Sequence, residues 1–71
     1  MKVLYRNIEA ERVRAGLKQD ELASILNIST KTYYNYLRGA AIPSQILLKL
    51  SKIFNCSIDY LLSVNTNNKS A

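Results

Sequence analysis

Seventy-one residues with ten Lys and Arg, five Asp and Glu, no His and a single Cys give a net charge of +5 and 48% apolar side chains. Without histidine or a second cysteine, an internal disulfide, a Cys/His zinc site and His-based catalysis are excluded, and no pair of acids forms a recognisable active site; neither an enzyme nor a cofactor is expected. No 18-residue apolar run or signal-peptide pattern points to a membrane or to secretion, so a reducing cytoplasm is the natural setting.

A chain this short makes one small domain that buries only about 60% of its unfolded surface, which favours helices with short connections. Residues 5–15, YRNIEAERVRA, read as the first helix. Leu4, Ile8 and either Val13 or Ala15 supply its inward side, Arg6 and Arg14 face outward, and Gly16 ends it. Leu17 is a core residue. Lys18 is a poor cap for the next helix because an ammonium has no acceptor to offer, although Asp20 and Glu21 suit the positive end of the helix dipole. That second helix runs from about Gln19 to Leu26, with Leu22, Ala23, Ile25 and Leu26 at i, i+3, i+4 spacing. Asn27 stops it, since Asn tolerates left-handed backbone.

Ser29 then restarts the chain as an N-cap for a third helix, Thr30 to Arg38, with Gly39 as its stop. At about 100° per residue this helix splits into two faces. Thr32, Tyr33, Tyr36 and Leu37 can pack against the preceding helix. Thr30, Lys31, Tyr34, Asn35 and Arg38 face outward, an inventory of hydroxyl, amide and cationic groups without a carboxylate that suits base edges and phosphates.

The loop Ala40, Ala41, Ile42, Pro43 leads to a fourth helix, capped by Ser44, whose apolar stripe is Ile46, Leu47, Leu50, Ile53 and Phe54, with Lys49 and Lys52 opposite. Asn55 ends that helix and Cys56 packs as a small buried hydrophobe. Ser57 caps a last short helix, Ile58 to Leu62. The tail from Ser63, SVNTNNKSA, is polar and aperiodic; it is expected to be disordered and is too short for a second domain, so residues 1–62 form the domain and 63–71 the tail. No acid falls between Glu21 and Asp59, whereas Lys31, Arg38, Lys49 and Lys52 do. That pattern favours a polyanion footprint over a merely solvated basic surface.

The joint spacing of these residues resembles the Cro/repressor (XRE-type) family of helix-turn-helix DNA-binding domains. The likeness rests on Ile8, Arg12, Gly16, Leu17, Gln19, Glu21, Leu22, Ala23, Leu26, Ile28, Ser29, Thr32, Gly39 and Pro43, and continues through Leu50, Ser51, Phe54, Ser57, Asp59, Tyr60, Leu61 and Leu62. It implies an all-α, five-helix, phage-repressor-like fold in which the third helix enters the major groove. On that basis Thr30, Lys31, Tyr34 and Asn35 would contact bases: Lys31 can donate to guanine and Asn35 can pair with adenine, while Tyr34 either reaches a thymine methyl or sugar or merely covers the turn. Gln19, Arg12, Arg38 and Lys18 would contact phosphate, with Gln19 readable equally as a surface glutamine.

The resemblance also implies a homodimer on operator half-sites of double-stranded DNA, with the final helix as its surface and Leu61, Leu62 and Val64 as candidate interface residues. Three departures stand out. In the family a carboxylate at the position of Leu37 commonly pairs with Arg12; here Arg12 needs another partner, a backbone carbonyl or a DNA phosphate, and Leu37→Glu would be expected to restore the pair and raise stability. The Ala40–Ala41 loop lacks the basic residues that relatives use to grip the backbone, which argues for modest affinity. The segment after Pro43 is one residue shorter than the usual pattern. The alternative reading is an antitoxin or adaptor that uses a Tyr-rich third helix to bind a partner protein.

Overall fold

The computed structural model describes residues 3–64, and among them every regular element is a helix: α1 (Arg6–Arg14), α2 (Gln19–Ile25), α3 (Thr30–Leu37), α4 (Ser44–Phe54) and α5 (Ile58–Leu61). The tail beyond residue 64 lies outside the described residues, and with it most of the segment expected to be disordered.

One closing device ends four helices in succession. Gly16 (φ +75°), Asn27 (φ +61°), Gly39 (φ +114°) and Asn55 (φ +54°) each hold left-handed backbone just past a helix. The next residue's N–H then reaches back to a carbonyl that the helix leaves free: Leu17 to Arg12 at 3.2 Å, Ile28 to Ala23 at 2.9 Å, Ala40 to Asn35 at 3.0 Å and Cys56 to Ser51 at 3.1 Å. Two asparagines thus do the work of glycine, as their tolerance of this conformation allows.

Helix starts follow the sequence less uniformly. Ser29 Oγ accepts from the Thr32 N–H at 3.0 Å and Ser57 Oγ from the Tyr60 N–H at 3.1 Å. At α2 the missing cap is partly replaced, because the Lys18 N–H donates to Glu21 Oε1 at 2.7 Å, the reciprocal half of a capping box. At α4 the cap position falls on Pro43, not on Ser44, which is already the first helical residue. The Pro43 carbonyl accepts from the Ile46 and Leu47 N–H groups at 3.0 and 3.1 Å.

The core gathers Ile8, Leu22, Ala23, Leu26, Tyr33, Leu37, Ile46, Leu50 and Leu61. α2 packs on α3, α1 lies against α3, α4 and α5, and α5 folds back on α4. Leu17, Phe54 and Cys56 line the rim of this core, half-buried. Cys56 is therefore a packing residue, and burial pushes its thiol pKa up.

Several expected core positions prove exposed. Val13 is 64% accessible and Ile25 51%, and Ala15 is also at the surface. On α1 the inward face passes through Ile8 and Glu11; Val13 sits about 140° around from Ile8. Glu11, 6% exposed, accepts from the Tyr60 hydroxyl at 2.8 Å and pairs with Arg14 at 3.2 Å, so α5 is latched to α1 through a polar bond. Asn7 Nδ2 adds a second bond between these helices, to the Tyr60 carbonyl at 2.7 Å. On α2, Leu22, Ala23 and Leu26 complete the buried strip and leave Ile25 beyond its edge.

The segment before α1 closes the far end of α3. The N–H groups of Leu4 and Tyr5 both donate to the Leu37 carbonyl, at 2.7 and 3.3 Å. Leu4 was expected to face inward but is 37% exposed and lies over Gly39.

Candidate nucleic-acid interface

The turn between α2 and α3 is built by three residues with separate tasks. Asn27 reverses the chain, Ile28 tucks its side chain against the core, and Ser29 caps α3. Ser29 Oγ also donates to Thr32 Oγ1 at 2.9 Å, which fixes both hydroxyls on the capping turn.

Along α3 the two faces separate as the sequence suggested. Tyr33 and Leu37 are buried, Thr32 and Tyr36 half-buried, and Thr30, Lys31, Asn35 and Arg38 exposed. The first turn holds no acid. A cation and neutral donors therefore surround the positive end of the helix dipole, a favourable field for phosphate. Tyr34 departs from the outward set in being half-buried and packed against the core. Of the three tyrosines on α3, Tyr33 is buried and Tyr34 and Tyr36 are half-buried, so the most exposed side chains are polar or cationic.

Glu9 is the residue that sequence reasoning missed. Its Oε1 accepts from Arg12 Nη2 at 2.9 Å and from Gln19 Nε2 at 3.3 Å; its Oε2 accepts from Arg12 Nε at 2.9 Å and from the Tyr33 hydroxyl at 2.7 Å. One carboxylate thereby joins α1, α2 and α3. Burial alone would raise its pKa, but the hydrogen bonds from Arg12 and Tyr33, the Arg12 charge and the Gln19 amide together hold it below the ordinary glutamate range. Conversely, burial and the bond to Glu9 push the Tyr33 hydroxyl pKa far up, and the bond to Glu9 raises that of Arg12. The only signal for this cluster in the sequence was the i, i+3 spacing of Glu9 and Arg12, which any surface helix could show.

The same bonds reassign Arg12. Its third contact is from Nη1 to the Leu17 carbonyl, so three of the five guanidinium N–H donors are engaged inside the protein. A backbone carbonyl and a carboxylate on its own helix replace the family's carboxylate at position 37. Leu37 is fully buried, so a charge there would find apolar neighbours and no free guanidinium.

The remaining expected phosphate contacts fall on two elements. Lys18 is exposed and Gln19 half-buried at the start of α2, while Arg38 is exposed at the end of α3. Lys49 and Lys52 are exposed on α4. Of the acids, Glu9 and Glu11 are held by Arg12 and Arg14 and Glu21 caps α2, so the carboxylates are largely engaged within the protein. Among the described residues no His, Cys, Asp and Glu cluster could hold a metal ion, and no helix is long and apolar enough to cross a membrane.

At the opposite end, Leu61 is fully buried and cannot serve as an interface residue. Its side chain belongs to the core because α5 has a single turn and turns its inward edge onto α1 and α4. Leu62 is half-buried and Val64 is 43% exposed.

The family described as helix-turn-helix matches residues 8–61. Among curated proteins, an HTH-type transcriptional regulator, ImmR of Bacillus subtilis (strain 168), is 42% identical over 60 residues, which is 83% of this chain and 47% of that protein. The chain thus spans about half the length of the curated relative it matches. No solved structure matches.

Proposed function

The chain belongs to the Cro/repressor (XRE-type) helix-turn-helix family of transcriptional regulators, and from that premise we propose that it is a sequence-specific repressor acting as a dimer. The observation that carries this reading is the exposed face of α3, where Thr30, Lys31, Asn35 and Arg38 stand free of any carboxylate on the helix.

In this reading the start of α3 enters the major groove. Lys31 donates to guanine O6 or N7, Asn35 pairs bidentately with adenine, and Thr30 contacts a base edge or methyl. Tyr34, half-buried, offers its ring edge to a thymine methyl or a sugar from the margin of the helix. Lys18 and Gln19 at the start of α2, and Arg38 at the end of α3, take phosphates on either side and set the register. Arg12 supports this arrangement from within.

One such module touches few bases, and each wrong base pair costs only about 1 to 3 kcal/mol, so useful discrimination calls for two half-sites. A dimer through Leu62 and Val64 would place two α3 helices in successive grooves about 34 Å apart and block polymerase sterically. The adaptor reading would draw on Tyr34 and Tyr36, both half-buried on α3. The test is a comparison of duplex from the protein's own promoter with scrambled duplex, at two salt concentrations.

A further inference from the structure

We propose that Glu9 is a positioning residue of the DNA interface: its carboxylate holds the Gln19 amide and the Tyr33 hydroxyl together, so one group sets the start of α2 relative to the recognition helix. This rests on the DNA-binding reading above and adds a residue that carries the wrong charge to touch DNA itself.

The geometry is specific. Gln19 is the first residue of α2, and a free glutamine side chain there would sample several rotamers before reaching a phosphate. The bond from Gln19 Nε2 to Glu9 Oε1 at 3.3 Å restricts that search, and one amide hydrogen stays available for a second acceptor. The other oxygen of the same carboxylate fixes Tyr33 at 2.7 Å, in the middle of α3. A carboxylate beside a phosphate contact would ordinarily repel the polyanion. Here Arg12 neutralises it with two bonds at 2.9 Å.

If Glu9 acts through Gln19, the two are coupled in binding and not merely in stability. A double-mutant cycle measures this on promoter duplex by fluorescence anisotropy, at a temperature where circular dichroism shows every variant folded. The expected result is that Glu9→Ala weakens binding about fivefold in the wild-type background and clearly less in the Gln19→Ala background, where only the Tyr33 tie remains to be lost. An equal loss in both backgrounds overturns the positioning role.

A second measurement needs no variant. In the full chain labelled with both 13C and 15N, the Gln19 side-chain amide should shift with the midpoint of the Glu9 carboxyl carbon itself, followed separately from Asp20 and Glu21. A Gln19 amide that ignores the Glu9 titration overturns the proposal even where Glu9→Ala fails to fold. Absence of promoter preference in the wild-type chain would instead overturn the regulator reading, while the titration still reports on the bond.

Discussion

The Tyr33 hydroxyl donates to Glu9 Oε2 at 2.7 Å across 24 residues of sequence, tying α3 to α1. Its ring is buried, so Tyr33→Phe keeps the packing and removes only the hydrogen bond. The variant is expected to lose about 1.5 to 3 kcal/mol in urea unfolding, the usual range for a bond to a charged acceptor.

The same carboxylate makes stability depend on acid. The folded-state pKa of Glu9 lies below its unfolded value, so its contribution is fully present above the ordinary glutamate pKa of about 4 and is lost as pH falls through the depressed folded value. Urea midpoints at pH 7 and pH 3 should differ more for the wild-type chain than for Glu9→Ala. An equal acid loss in both would assign the effect to other carboxylates.

Leu37→Glu is expected to destabilise. Leu37 is fully buried and Arg12 already holds Glu9, so the new carboxylate would enter the core without a partner. A loss of at least about 3 kcal/mol follows, or a fall in Tm of roughly 15 °C in a domain of this size. Thermal unfolding followed by circular dichroism measures it, and a rise in Tm would overturn the assignment of Arg12 to Glu9.

Gly39 and Gly16 separate two costs. Both have positive φ, but a Cβ on Gly39 would lie 3.1 Å from Leu4 Cδ2, whereas one on Gly16 would meet open space. Gly16→Ala should cost about 1 kcal/mol from left-handed backbone alone, and Gly39→Ala more, because Leu4 must also shift. Paired denaturation curves test the order.

Much of the fold was legible in the sequence because local chemistry decided it. Asn27, Gly39 and Asn55 fix helix ends through the backbone, and Ser29 and Ser57 fix starts through a single oxygen, so neither depends on distant residues. The split of α3 into faces followed from helical periodicity alone. What escaped was non-local or lay at the edge of an apolar strip. Val13 and Ile25 are apolar yet exposed, since two or three neighbours already fill the available contact. Glu9 and Glu11 are charged yet partly or wholly buried, since Tyr33 and Tyr60 arrive from other helices and Arg12 and Arg14 lie one turn along α1 to satisfy them. Leu61 was misplaced on the surface because a one-turn helix has too few residues to reveal its inward side.

The dimer surface can be tested by Leu62→Glu, which changes a half-buried residue next to the core and not within it. Sedimentation should show a monomer with weakened promoter binding and an unchanged helical spectrum. A persistent dimer would remove α5 as the interface.

In the proposed function the exposed face of α3 reads sequence. Fluorescence anisotropy of the purified chain on its own promoter duplex and on scrambled duplex, at two salt concentrations, tests it most directly. The expected result is a preference of about 10³ or more for the promoter, affinity that falls as salt rises, and loss of that preference in Lys31→Ala and Asn35→Ala. Equal, weak binding to both duplexes at both salt concentrations would contradict it.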